Sequence, residues 1–298
     1  MIIILILPSF SFAQEDGEID VLIDVTKELD TKYGNPTVQD VFLATLDEAG
    51  ITYEFTPAYV TLDEMFLDDY KILVIWDPEG TYSEAEKLAI HDYVENGGIL
   101  LFLGTSYFDT VDIVFDDLND LLSVYGIQLV KERMIDLTDY YGCHCGTTPK
   151  ITNFADDSFF YNIDEIALRH TMRLEITSPA YAIAWGDDDA FIDLNLNEIL
   201  DEGEMVGNIP VIAENDLESG GKVIVFATEN IFSITSITLS DNEKFAINLF
   251  SDLISDYNSR PVDDGSPTMY YIVGGILIAA FVLIALVLVR RHGKDSTE

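Results

Sequence analysis

Basic residues are scarce in this chain. Its 298 residues include 15 Lys and Arg against 54 Asp and Glu, which gives a formal net charge of −39 at pH 7. Such a surface repels nucleic acid and anionic lipid headgroups, so no nucleic-acid partner is expected. The charge suits solubility in salty water or the binding of cations, and composition does not decide between these roles. The chain also lacks a glycine-rich phosphate loop, and no cofactor is expected.

Cysteine is nearly absent, which excludes a disulfide-rich scaffold. The two cysteines, Cys143 and Cys145, flank His144 in a polar loop. Two thiolates and an imidazole can hold a soft metal ion, although zinc sites usually leave two or more residues between cysteines. A fourth ligand would have to be His91, His170 or a carboxylate. A local disulfide, free thiols, an inter-chain disulfide and a metal site are all open alternatives.

Apolar runs that point to a membrane occur at the two ends of the chain. Residues 269–289 carry no charged side chain and are long enough to span a bilayer as a helix. Arg290 and Arg291 follow, so the positive-inside rule places the tail in the cytoplasm and the preceding domain outside. Residues 1–13 are predicted to be a signal peptide, because an apolar run precedes small residues, Ser11 and Ala13, at a cleavage site.

These signals predict a single-pass protein of the cell membrane, with the membrane as a partner through one helix. The expected parts are a signal peptide (1–13), an extracytoplasmic domain (14–257), a linker (258–268), a transmembrane helix (269–289) and a cytoplasmic tail (290–298).

The first half of the domain alternates strand and helix patterns. Continuous apolar runs at 72–76 and 99–103 are typical of central parallel strands, which are buried on both faces. Ser83 and Glu86 form a predicted capping box ahead of one helix. Further strands are predicted at 20–25, 51–55 and 127–130, and further helices at 35–49, 62–67 and 115–125. The alternation predicts an α/β fold with a parallel, doubly wound sheet.

The second half of the domain is less regular. Short strands are predicted at 174–177, 181–185, 211–213 and 222–226. Ser240 and Glu243 predict a second capping box, ahead of a helix that carries Phe245, Leu249 and Leu253 on one side.

Several segments together resemble one family. They are DYKILVIWDP at 69–78, YSEAE at 82–86, VENGGILLFLG at 94–104, LNDLL at 118–122, YGI at 125–127 and GGKVIV at 220–225. In this order they are similar to class I glutamine amidotransferase-like domains of the non-catalytic branch. That branch includes the gliding and intraflagellar-transport type and membrane-anchored prokaryotic relatives. The resemblance spans roughly residues 18–257 and implies a flavodoxin-like, doubly wound, mostly parallel sheet with a binding or scaffolding role.

The catalytic branch of that superfamily places a cysteine nucleophile in a Gly-x-Cys-x-Gly turn after a central strand. Here the turn reads Gly104, Thr105, Ser106, Tyr107 and Phe108, with serine in the cysteine position. A serine nucleophile needs a base to take its proton. The family's base is a histidine after a late strand, whereas residues 227–231 offer only Glu229 as an ionisable group. We therefore expect no enzyme activity, and a hydrolase or transferase that uses Ser106 is the alternative.

A calcium-dependent surface adhesion module is a further alternative. Carboxylate and amide side chains occur at the spacing of a calcium loop, namely at Asp193, Asn195, Asn197, Asp201 and Glu204. Glu198, however, stands where that loop requires glycine, and the residues between the candidate ligands are unusually apolar. The run from Asp187 to Asp189 is a second acidic candidate. The favoured expectation is a non-catalytic extracytoplasmic binding or scaffold domain with a protein partner in the membrane or on the cell surface.

Overall fold

The computed structural model describes residues 19–27, 36–57, 60–65, 67–104, 112–142 and 146–260. The predicted signal peptide (1–13), the predicted transmembrane helix (269–289) and the tail (290–298) lie outside these ranges. Within the described ranges, no helix has both the length and the apolar character needed to cross a membrane.

The described residues form thirteen strands, four α-helices and four short 3₁₀ turns. The strands are β1 (Val21–Asp24), β2 (Tyr53–Phe55), β3 (Ile72–Trp76), β4 (Ile99–Leu103), β5 (Ile127–Ile135), β6 (Lys150–Ile151), β7 (Asn153–Phe154), β8 (Ile166–Ala167), β9 (Met172–Ile176), β10 (Tyr181–Trp185), β11 (Phe191–Asp193), β12 (Pro210–Asp216) and β13 (Lys222–Phe226). The helices are α1 (Pro36–Glu48), α2 (Glu84–Glu95), α3 (Asp112–Ser123) and α4 (Asn242–Ser259). The 3₁₀ turns are Leu62–Glu64, Leu67–Asp69, Ser158–Phe160 and Asn230–Phe232.

The main sheet is mixed, with eight strands in the order β2-β1-β3-β4-β13-β12-β10-β7. Strands from β2 through β13 in this order pair in parallel, and β12, β10 and β7 continue the sheet antiparallel. The parallel part has the strand order of flavodoxin-like sheets, with β13 in the fifth place. The predicted α/β fold with a mostly parallel sheet is therefore confirmed, and the sheet is mixed because β12, β10 and β7 run antiparallel.

A short hairpin causes the change of direction between β12 and β13. The amide of Leu217 donates to the carbonyl of Gly221 (2.8 Å), and the amide of Gly220 donates back to the carbonyl of Leu217 (2.9 Å). Gly220 has φ +93°, a conformation that glycine adopts without the penalty of a side chain. So short a connection can join only antiparallel strands, because a parallel pair needs a long crossover.

Both faces of the central strands are covered. Every residue of β3 and β4 is buried, as expected for strands that have helices on both sides. α1 and α4 meet through the rings of Phe42 and Phe250, whose centroids are 5.6 Å apart. α2 and α3 are joined by ion pairs from Lys87 to Asp117 and Asp120.

Three strands, in the order β11-β5-β9, form a second sheet beside the main one. β5 is longer than the sequence predicted and reaches Ile135, because its second part pairs with β11. Its register against β9 shifts between Val130 and Arg133. Such an irregularity re-aims side chains, and β5 carries Arg133 to the site described below.

One predicted helix cap is confirmed and the other is wrong. At α2 the amide of Glu86 donates to Ser83 Oγ (3.3 Å), and the amide of Ser83 donates to Glu86 Oε2 (2.8 Å). At α4 the helix begins at Asn242, and the hydroxyl of Ser240 donates to the carbonyl of Glu165 (2.9 Å) instead of capping. The long-range partner, Glu165, could not be recognised from local spacing.

Candidate functional site

The carboxyl ends of β1, β3, β4 and β13 lie side by side, since these strands are neighbours and parallel. Ligands of open α/β sheets bind in the crevice outside this edge. Three buried acids follow or end these strands, namely Asp24, Asp77 and Glu229. A buried acidic group needs hydrogen-bond donors, a counter-charge or a raised pKa, and Asp24 and Glu229 differ in this respect.

Asp24 is held by hydroxyl and amide donors at the end of β1. It accepts bonds from the amide and hydroxyl of Thr26, from Thr56 Oγ1 (2.9 Å) and from the hydroxyl of Tyr82 (2.8 Å). Burial, followed by the charge of Asp24, raises the pKa of Tyr82 well above its usual value. The donors surround both oxygens of Asp24, so its role is to fix this edge of the sheet.

An ion pair joins the same edge to helix α2. Lys27 Nζ lies 2.6 Å from Glu86 Oε1 and 5.1 Å from the centre of the Tyr82 ring. Burial raises the pKa of Glu86, but the bonds from Lys27 and Ser83 outweigh burial and leave that pKa below its usual value. Glu86 therefore takes part both in the capping box of α2 and in the ion pair with Lys27.

Glu229 occupies the region after β13 where the resembled family has its histidine base. It is buried, and burial followed by the charge of Asp77 raises its pKa well above the usual value of a glutamate. A raised pKa favours the protonated form of the carboxyl group, and that form cannot accept a proton. The preceding residue, Thr228, has its hydroxyl engaged with the carbonyl of Arg169 (2.8 Å).

Gly104, the first residue of the degenerate nucleophile turn, packs against the end of β13. A Cβ atom at this position would lie 2.9 Å from the carbonyl oxygen of Phe226 and 2.9 Å from the amide nitrogen of Thr228. Close approach of two backbones therefore explains this glycine. Thr105 and Ser106 lie outside the described residues, and so do Cys143, His144 and Cys145.

A cleft of about 620 Å³ opens beside the end of β13. Arg133 reaches it from β5, and Arg169 and His170 reach it from the segment between β8 and β9. The hydroxyl of Thr228 fixes the Arg169 backbone, and the amide of His170 donates to the carbonyl of Thr147 (2.7 Å). The remaining polar lining consists of Tyr141, Thr147, Thr148, Glu198 and Thr235.

The cationic side chains of this cleft differ in their partners. Arg133 is buried and forms an ion pair with Asp193, whose carboxylate is fully buried. The Nε atom of Arg133 has no hydrogen-bond partner. Among the described residues, no carboxylate forms an ion pair with Arg169. Burial, followed by the charges of Arg169 and Arg133, lowers the pKa of His170, so its imidazole is neutral near pH 7.

The predicted calcium ligands are brought together, but as partners of one another in a hydrogen-bonded loop. Asp193 accepts from Arg133 and from the amides of Asn197 (3.0 Å) and Glu198 (3.1 Å). Asp201 accepts from the side-chain amides of Asn195 (2.7 Å) and Asn197 (2.8 Å). Glu204 closes the loop through the amides of Leu194 (2.8 Å) and Asp201 (2.9 Å). The spacing of these residues is therefore explained by the turn itself.

A different acidic group lies at the end of β5. One oxygen each from Asp136, Asp187 and Asp189 lie within 4.8 Å of one another. Burial and the charge of Asp136 raise the pKa of Asp187 above its usual value, although the backbone amide of Ala190 acts to lower it. The hydroxyl of Thr138 donates to both Asp136 (3.1 Å) and Asp189 (3.0 Å). The run at 187–189 was recognisable in the sequence, whereas its neighbour Asp136 was not.

The two histidines among the described residues have separate roles. His91 on α2 contacts the hydroxyl of Tyr125 (2.7 Å), and burial lowers its pKa. His170 lines the cleft together with Arg133 and Arg169. No sequence pattern selects the two arginines, which are 36 positions apart in the chain. The scarcity of basic residues in so acidic a sequence was the one signal that could have drawn attention to these arginines.

No protein-family model matches this sequence, and no curated protein matches it. Solved structures do share the fold. The mmIFT52 N-terminal domain is 18% identical, with a TM-score of 0.59, over 78% of this chain and 96% of its own. A cytoplasmic protein from Salmonella typhimurium LT2 is 15% identical, with a TM-score of 0.50, over 79% of this chain and 99% of its own.

A third solved structure, the cold-adapted β-galactosidase from Rahnella sp. R3, is 15% identical with a TM-score of 0.52. The match covers 82% of this chain but only 32% of the galactosidase chain. At these identities the likenesses show the fold alone. They support the class I glutamine amidotransferase-like fold that the sequence segments resemble.

Proposed function

We propose that this chain is a non-catalytic binding or scaffold domain, held on the outer side of the cell membrane by residues 269–289. The state of Glu229 carries the non-catalytic part of the proposal. It is the ionisable group nearest in sequence to the base position, and burial, followed by the charge of Asp77, raises its pKa and favours the protonated form. A protonated carboxyl group cannot activate a serine nucleophile.

Described groups adjacent to Glu229 in the chain are already engaged in hydrogen bonds. The hydroxyl of Thr228 is used by the carbonyl of Arg169, and the side-chain amide of Asn230 donates to Glu229. Asp24 is surrounded by donors from three residues. Among the described residues, these engaged groups favour recognition through the surface over chemistry at this edge of the sheet.

The fold shared with the mmIFT52 N-terminal domain, over 78% of this chain and 96% of that domain, is compatible with a binding or scaffold role. The acidic surface, with a net charge of −39 for the chain, argues for a protein or small-molecule partner and against nucleic acid. The partner we propose is a protein of the membrane or the cell surface.

A fluorophosphonate probe directed at activated serines tests the non-catalytic proposal. We expect background labelling of the full chain, of Ser106→Ala and of the control Ser219→Ala, which alters an exposed serine in the β12–β13 turn. Labelling of the full chain and of Ser219→Ala that disappears in Ser106→Ala would establish the hydrolase or transferase alternative instead.

Protease added to intact cells tests the proposed topology. Because the basic tail follows residues 269–289, the domain should be digested and only a short C-terminal fragment should be protected. A tag placed after Glu298 would report that fragment. Protection of the whole domain would contradict the proposed orientation.

A further inference from the structure

Most cationic side chains of the described residues form ion pairs with carboxylates, but Arg169, in the cleft beside β13, does not. Lys87 contacts three carboxylates, Lys222 contacts two, and Arg173 pairs with Glu132. Arg169 has no such partner among the described residues, although the chain contains 54 acidic side chains. An arginine that stays unpaired in this environment has its donors directed at something other than the protein's own carboxylates.

We propose that the cleft lined by Arg133, Arg169 and His170 binds a small polar ligand that carries a single carboxylate group. This proposal rests on the binding role proposed above and names the ligand class for it. The guanidinium group presents a planar fork of donors that fits a carboxylate with two parallel hydrogen bonds. Arg169 supplies that fork, and Arg133 lies beside it in the lining of the same cleft.

The unpaired Arg169 favours an anionic ligand at the cleft, and the negative net charge of the chain limits how many charges that anion can carry. With His170 neutral and Arg133 paired with Asp193, the lining keeps one unpaired arginine, Arg169, and one carboxylate, that of Glu198. The chain as a whole carries −39. Its long-range field repels a dianion such as phosphate about twice as strongly as a monoanion, while the local attraction comes from one unpaired arginine. A single carboxylate is therefore the best match.

The rest of the lining indicates a polar ligand. Thr147, Thr148 and Thr235 are hydroxyl-bearing residues of the lining, and the cleft's volume of about 620 Å³ exceeds that of an inorganic ion. Sites of about 300–1,000 Å³ are typical for small organic ligands. A hydroxy acid combines the carboxylate with a second group that hydroxyl side chains can bond.

Titration of the full chain with sodium lactate, sodium acetate and inorganic phosphate tests the proposal. The readouts are calorimetry and the melting temperature, with sodium chloride at matched ionic strength as the reference. We expect a saturable effect of lactate and acetate beyond that of chloride, with lactate the tighter ligand. Phosphate should bind more weakly than either.

Two variants that remove one positive charge each make the test specific. Arg169→Gln should weaken lactate binding by about tenfold, because a charged hydrogen-bonded pair is lost. Arg173→Gln removes an arginine of β9 that pairs with Glu132, and it should leave binding unchanged. Arg169→Lys keeps the charge without the fork and should fall between the two. The Arg169 backbone stays fixed by Thr228, so these variants retain the local bond.

Binding should also change the titration of His170. A bound carboxylate adds a negative charge among Arg133, Arg169, Tyr141 and Glu198, the charged and titratable groups of the lining. The pKa of His170 should therefore rise in NMR spectra recorded with lactate. No saturable response, an equal loss in Arg169→Gln and Arg173→Gln, or tighter binding of phosphate would overturn the proposal. The serine-probe result would be unaffected by any of these outcomes, so the two failures are distinguishable.

Discussion

Removing Arg133 is predicted to destabilise the domain strongly through Asp193. The side chains of this ion pair are 7% and 0% exposed. Asp193 also accepts the amides of Asn197 and Glu198, so it anchors the loop that begins at residue 194. Arg133→Met removes the cation, keeps a long apolar stem and leaves the buried carboxylate without its counter-charge.

The size of the effect follows from burial. Breaking a buried pair by removing one partner costs about 3–5 kcal/mol, because the remaining charge is uncompensated. Asp193 keeps two amide donors, which places the expected loss near the lower end, about 3 kcal/mol. The pair between Arg173 and Glu132, with 17% and 32% exposure, is a matched control. Arg173→Met should cost about 1 kcal/mol or less, as exposed pairs do.

Urea unfolding followed by tryptophan fluorescence measures these losses. Both tryptophans of the chain, Trp76 and Trp185, end strands of the domain and report its unfolding. The double variant Arg133→Met/Asp193→Leu removes both charges and should be more stable than Arg133→Met alone. Equal losses in Arg133→Met and Arg173→Met would refute the assignment of this pair as a buried anchor.

The pH dependence provides a separate check. Burial raises the pKa of Asp193, but the bond from Arg133 and the backbone amides outweigh burial and leave that pKa below its usual value. A carboxylate with a lowered folded-state pKa stabilises the protein above its unfolded pKa, and this contribution is lost as pH falls through the folded value. The difference between the natural chain and Arg133→Met should therefore shrink below about pH 4. A constant difference would contradict the charge argument.

Three further predictions concern the stability of the domain, the first two measured by urea unfolding and the third by the melting temperature. Glu229→Gln should gain stability relative to the natural chain as pH rises from about 4 to 8, since a raised folded-state pKa makes the natural chain lose stability over that range. Equal effects at both pH values would contradict this. Ser83→Ala should cost about 1 kcal/mol through the lost capping box, whereas Ser219→Ala should cost almost nothing. Sodium chloride up to about 1 M should raise the melting temperature, with calcium and magnesium acting alike; a flat response would refute unscreened repulsion.

The parallel half of the sheet could be predicted from sequence because its strands are buried on both faces. The runs at 72–76 and 99–103 are continuous apolar segments, and the structure places strands at the same bounds. In a chain with so many acidic residues, a continuous apolar run of this length is best explained as a strand buried on both faces. The helix caps show the limit of local reasoning, since Ser83 caps its helix and Ser240 bonds to Glu165, 75 positions away.

The antiparallel half and the cleft were harder to predict for a related reason. β6, β7 and β8 are two residues long, too short for a periodic pattern. The spacing of Asp193, Asn197 and Asp201 matches a calcium loop as well as it matches the turn that the structure forms. The short strands pair with distant segments, which local spacing does not reveal. In the acidic loop, the spacing does not distinguish a bound ion from hydrogen bonds within the loop.

The placement of cations gives the structural reason to treat Arg169 as functional. Lys27 joins the end of β1 to α2, Lys87 joins α2 to α3, and Arg133 anchors the loop after β11. Each of these cations links elements that would otherwise repel one another through their carboxylates. Arg169 links no carboxylate among the described residues, so its charge does not contribute to cohesion in that way. A cation that the fold does not need for cohesion, placed in a cleft beside the carboxyl edge of the sheet, is available for a ligand.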